Sequence, residues 1–95
     1  MGWKQEKMTT QLVTNRHYTV METRLKSEQI PARFGKRVRT INGLKVHVQK
    51  QGKQLNLAYQ NRTDVMWIVS DRPEETTMRL IQRSPESPID SLLTE

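Results

Sequence analysis

The feature that most constrains this chain is a run of alternation over residues 36–70, where apolar side chains recur at every second position and turn signals interrupt them. Leu44, Val46 and Val48 form one set, Leu55, Leu57 and Tyr59 the next, and Val65, Trp67 and Val69 a third. A period of two belongs to a strand with one buried face, and a slip of one residue would turn that face to water, so the apolar pattern itself sets the register. Four consecutive antiparallel strands follow. Asn42-Gly43 is the strongest turn signal. A loop of those two residues alone would place Arg37 and Arg39 on the face of Leu44, Val46 and Val48, burying charge. A three-residue loop, Ile41-Asn42-Gly43, with Gly43 left-handed in a bulge, pairs Thr40 with Leu44 and Val38 with Val46 instead. A two-residue turn at Gln51-Gly52 sets Val48 opposite Leu55, Val46 opposite Leu57 and Leu44 opposite Tyr59. A three-residue loop at Asn61-Arg62-Thr63 brings Tyr59 opposite Val65, Leu57 opposite Trp67 and Leu55 opposite Val69. Met66 and Ile68 then point the other way, so the last strand is apolar on both faces and belongs in the middle of the sheet or beneath a covering element.

The rest of the chain is arranged around this meander. Residues 1–10 are polar apart from Trp3 and read as a flexible N-terminal arm. Residues 11–25 are rich in Val, Thr and Tyr and read as one or two strands, broken at Thr14-Asn15-Arg16, with a change of phase that predicts a bulge near Val20-Met21. Residues 26–35 contain Pro31 and Gly35 and read as a loop. After the meander, Asp71 as N-cap, Pro73 in the first turn and Glu74 three residues past the cap predict a helix ending near Gln82 or Arg83, with Met78, Leu80 and Ile81 inward. Two Ser-Pro steps then predict a disordered tail over residues 84–95, within which Ile89, Leu92 and Leu93 form the one candidate docking motif. The expected fold is α+β: a single domain over residues 11–83, mainly an antiparallel β-meander of five or six strands, with one short C-terminal helix packed on the sheet.

Composition narrows the chemistry. There is no cysteine, which excludes a disulfide framework, a thiol nucleophile and a Cys-based zinc site, while leaving the compartment open, as in many bacterial proteins. The longest apolar run is five residues, and neither a membrane-spanning segment nor a signal-peptide core is legible, so the chain reads as soluble. Neither His17 nor His47 has an acidic or histidine neighbour at ligand spacing, and no nucleophile elbow or phosphate-binding glycine loop occurs. Helix capping accounts for Asp71, Glu74 and Glu75. The expectation is a protein that is not an enzyme, with no cofactor and no metal.

The net charge of +6 is unevenly distributed. Residues 29–63 hold eight Lys or Arg and no acid, whereas residues 64–95 hold seven acids against three Arg. In the register above, Arg39 faces Lys45 and Arg37 faces His47 on the polar side of the first hairpin. Like charges so placed cost roughly 0.2 to 1 kcal/mol, which calls for a compensating ligand or a purely protective role at a sheet edge. The functional reading is a binding or regulatory module in which Arg33, Lys36, Arg37, Arg39, Lys45, His47 and Lys53 meet an anionic macromolecule: an acidic protein, a membrane surface or nucleic acid. Contact with nucleic-acid phosphates is the alternative, although a sheet that reads bases needs exposed aromatics and Tyr59 and Trp67 are both expected in the core. A third reading is a structural subunit that self-associates through an unpaired edge strand.

Ile41-Asn42-Gly43, Leu57-Ala58-Tyr59, the run Val65 to Val69 and the helix from Glu74 to Gln82 together resemble the small extracytoplasmic domains of Gram-positive anti-sigma-factor-like proteins. Tyr59 stands where that pattern tends to carry Trp, and no membrane anchor is legible in these residues. The resemblance covers under half the chain and implies a sensing or partner-binding domain without catalysis.

Overall fold

The computed structural model describes residues 8–26, 30, 34, 35 and 37–94. Six strands, β1 (Met8–Thr14), β2 (Thr19–Lys26), β3 (Val38–Ile41), β4 (Leu44–Gln51), β5 (Gln54–Asn61) and β6 (Asp64–Ser70), precede two helices, α1 (Glu74–Arg83) and α2 (Pro88–Leu93). All pairs are antiparallel and the strand order is β1-β2-β6-β5-β4-β3, so the fold is α+β with β6 inside the sheet, as its two apolar faces require. Of the arm expected over residues 1–10, residues 8–10 belong to β1; the remainder, with Trp3, lies outside the described residues, as does most of the loop expected over residues 26–35.

Each of the three turns that join β3 to β6 has two central residues, and this changes the expected registers. Asn42 and Gly43 both take positive φ, 49° and 82°, the signature of a type I′ turn whose twist suits a hairpin. Ile41 therefore pairs with Leu44, Thr40 with Lys45, Arg39 with Val46 and Val38 with His47. The register excluded on grounds of buried charge is the one adopted. Between β4 and β5 the turn is Gly52-Lys53, with Gly52 at φ 60°, so Val48 pairs with Leu57 and Val46 with Tyr59. That differs from expectation by two residues and leaves the faces unchanged. Between β5 and β6 the turn is Arg62-Thr63, and the one-residue difference exchanges the faces: Tyr59 pairs with Met66 and Leu57 with Ile68, while Trp67 pairs with Ala58. Leu57 and Trp67 are on opposite sides of the sheet. The hydrophobic pattern of β6 satisfies both registers equally, and Arg62, a non-glycine residue at φ 57°, carries no turn signal.

One face of the sheet supports both helices. Val20, Val46, Leu57, Tyr59, Met66 and Ile68 meet Met78, Leu80 and Ile81 of α1 and Ile89 and Leu92 of α2 in a single core, each side chain contributing about 1.5–3 kcal/mol of burial. Asp71 does not cap α1. Its carboxylate accepts from the Thr19 amide at 2.9 Å and its own amide donates to the Thr19 carbonyl at 3.2 Å, extending the β2–β6 ladder, and Pro73 occupies the N-cap position. No bulge interrupts β2, which pairs without a break on both sides; the change of phase arises because Tyr18 belongs to the preceding turn, where the Asn15 side chain accepts from the His17 and Tyr18 amides.

The expected disordered tail is instead α2, with Ser87, Pro88, Ile89, Ser91 and Leu92 buried and only Leu93 of the apolar trio exposed. Pro88 sits in the first turn, where its missing N–H costs nothing. The buried Glu22 carboxylate accepts from the Ser87 hydroxyl at 3.1 Å and the Ile89 amide at 3.1 Å. Among the described residues, no helix is long and apolar enough to cross a membrane.

Candidate functional site

The side of the sheet away from the helices carries no helix or second sheet among the described residues, and it is uncovered in that sense only, because Thr23, Ala58, Val65 and Phe34 are buried there. Its residues follow from the pairing. The central row runs Val38, His47, Ala58, Trp67, Thr23, Thr10 from edge to edge, and the next row runs Gln49, Asn56, Val69, Met21, Leu12. The β3–β4–β5 half therefore carries His47, Gln49 and Asn56 beside Val38 and Ala58, and the β6–β2–β1 half is apolar or Thr-bearing. Trp67 lies between them, half-buried, and the Phe34 ring meets it edge-on with centroids 5.4 Å apart. The indole N–H donates to the Asn56 side-chain oxygen at 3.1 Å, which fixes the ring plane. Phe34, Gln49, Gln51, Asn56 and Trp67 line a shallow depression of about 490 Å3. An apolar ring surrounded by amides can stack on a flat ligand while the amides satisfy its polar edge.

The basic residues expected to share one surface are divided by the β3–β4 register. Arg37 and Arg39 fall on the helix side and meet the first turn of α1. Arg37 grips Glu74 with both terminal nitrogens, at 2.9 and 3.0 Å, and Arg39 donates to Glu74 at 2.8 Å and to Glu75. The hydrogen bond that Arg39 donates to Glu75, then the one it donates to Glu74, raises its pKa above the usual value. Partial burial opposes ionisation of Glu74, but hydrogen bonds from Arg37 and Arg39 outweigh it and hold the carboxyl below the ordinary carboxylate range. The like-charge pairs Arg39–Lys45 and Arg37–His47 do not occur.

Lys45 is exposed and His47 half-buried on the uncovered face, with His47 Nδ1 at 3.2 Å from the Gly35 carbonyl oxygen. Lys53 is exposed in the β4–β5 turn. Arg33 and Lys36 lie outside the described residues. Lys45, His47 and Lys53 are thus the expected site residues that remain without an acidic partner in the cluster at α1. Sequence reasoning missed Trp67 and Phe34. The available signal was the run of two-residue turns, which would have put Trp67 on the uncovered side.

Two further buried polar groups, Glu22 and Tyr59, have partners in the C-terminal segment. Glu22 secures α2, and the Tyr59 hydroxyl donates to the Pro85 carbonyl, with burial first and the charge of Glu22 second raising its pKa. No family model matches this chain, and no curated protein or solved structure matches it.

Proposed function

We propose that this chain is a non-catalytic binding or regulatory module that meets an anionic partner through the uncovered face of its sheet. The observation that carries the reading is the location of Trp67, at the centre of that face and held there by Phe34 and Asn56, with Lys45 and His47 on the same side two strands away. A net charge of +6 draws anions to such a surface, and the aromatic ring supplies the contact that charge alone lacks. The first-turn acids of α1 are engaged by Arg37 and Arg39, and Glu22 by Ser87 and Ile89, which supports structural rather than catalytic roles for them. The resemblance to anti-sigma-factor-like extracytoplasmic domains agrees with a sensing or partner-binding role.

Nucleic acid is the second reading, and Trp67 favours it. Stacking of one base on an aromatic ring is worth about 1–3 kcal/mol, and the ring that stacking needs is on the uncovered face. One experiment addresses both readings. With Trp3→Phe in place, Trp67 is the only tryptophan, and its emission is followed while poly-L-glutamate or a mixed-sequence single-stranded oligonucleotide is added at about 50 and 200 mM salt. A change of emission with either polyanion, weakening steeply at the higher salt and lost with Lys45→Glu, supports an anionic partner. A change with the oligonucleotide alone supports the second reading. Unaltered emission with both probes at the lower salt overturns both.

A further inference from the structure

The two edges of the sheet are written differently. β3 is four residues long, and Arg39 within it and Arg37 just before it are fastened to Glu74 and Glu75. β1 is seven residues long, exposed at every position but Val13, and has no acidic, basic or histidine side chain. Residues 8–15 and 54–61 are the two longest stretches of the chain free of Asp, Glu, Lys, Arg and His, eight residues each. The second of these is β5, which is paired on both sides. The first is β1, paired on one. An edge strand ordinarily carries lysines, a proline or a bulge to deter pairing; β1 carries none of these, and its pairing with β2 is unbroken. Its outer row of amides and carbonyls is a template for another strand. The exposed apolar side chains Met8 and Leu12 continue the apolar half of the uncovered face out to this edge.

We infer that β1 is an interface for a second copy of this chain, paired antiparallel β1 to β1 about a two-fold axis, so that two six-stranded sheets join into one. Charge selects the occupant. Two bodies each carrying +6 repel, and at β1 they approach without opposing like charges along the strand, whereas an acidic partner finds no cation in β1 to engage. The strand is also self-complementary. With the axis at Gln11, Met8 meets Thr14, Thr9 meets Val13 and Thr10 meets Leu12, each pair on one face, so Met8, Thr10 and Leu12 of both copies remain on the uncovered side.

Light scattering coupled to size exclusion tests this on the full chain. The expected result is a mass that rises with concentration from 11.2 kDa towards twice that value, and that returns to 11.2 kDa in Leu12→Lys and, independently, in Gln11→Lys, with unchanged far-UV circular dichroism. Because the protein has no cysteine, single Thr10→Cys, Gln11→Cys and Leu12→Cys variants report the axis directly: oxidation links two copies at the positions nearest it. A mass of 11.2 kDa up to sub-millimolar concentration overturns the inference. So does a dimer that survives both lysine variants and cross-links at none of the three positions. Neither result bears on the polyanion experiment, whose readout is the emission of Trp67.

Discussion

The two faces of the sheet hold similar amounts of apolar side chain and use it differently. On the covered face Ile68, Leu57 and Met66 are fully buried and meet two helices. On the uncovered face Val65 and Ala58 are as fully buried, Trp67 has Phe34 for a neighbour, and it is Leu12 and Met8 at the β1 edge that face outward. Apolar patterning alone therefore does not tell core from contact surface. What separates the faces is where the C-terminal third of the chain folds back, and that is governed by polar anchors: Glu74 and Glu75 to Arg37 and Arg39 at one end of α1, Glu22 to Ser87 and Ile89 at the start of α2.

Substitutions can break this comparison. Ile68→Ala on the covered face should lower stability by about 2–5 kcal/mol in urea unfolding, since it opens a cavity in the packed layer. If it costs no more than a surface change, the helices do not cover that face. Glu22→Ala should cost about 1–3 kcal/mol by leaving the Ser87 hydroxyl and Ile89 amide without their acceptor, and should raise hydrogen exchange across residues 87–93. Trp67→Ala, which removes the ring beside Phe34 and the hydrogen bond to Asn56, should cost about 1–3 kcal/mol and abolish polyanion binding, whereas Ile68→Ala should leave binding by the folded protein intact.

The smallest effect is expected at Glu74→Gln. Its folded-state pKa is depressed, so the stability it contributes is present above the unfolded value near 4.5 and is lost as pH falls through the folded one. Thermal unfolding should show the variant slightly less stable than the parent at pH 7 and equal to it at pH 2. A gap that persists at pH 2 would mean the carboxylate is not what matters.

The strands, their count, the central position of β6 and the end of α1 at Arg83 were legible because alternation and breakers report them directly. The site was less so. Rejecting the Asn42-Gly43 turn assumed that Arg39 on the apolar side would be buried without a partner, but β3 is an edge strand and its neighbour is the acidic first turn of α1. That partnership joins residues 35 positions apart in the sequence, and no local pattern announces it. Trp67 was misplaced by one residue of turn length in a strand whose two faces look alike. The tail reads as disordered from its own low hydrophobicity because the acceptor that fixes it, Glu22, lies 65 positions away in β2.

The β2–β6 ladder also dictates an order of events. Hairpins β3–β4, β4–β5 and β5–β6 each close over two residues, whereas Met21 must find Val69 across the whole meander. Closing that long loop is the slow, entropically costly step, and local hairpins precede it. Glu22 arrives with β2, so α2 gains its anchor only after the N-terminal hairpin has docked. The first and last elements of the chain should lock together: in pulse-labelled refolding, amides of α2 should gain protection with those of β2 and after those of β5, and earlier protection of α2 would sever the link.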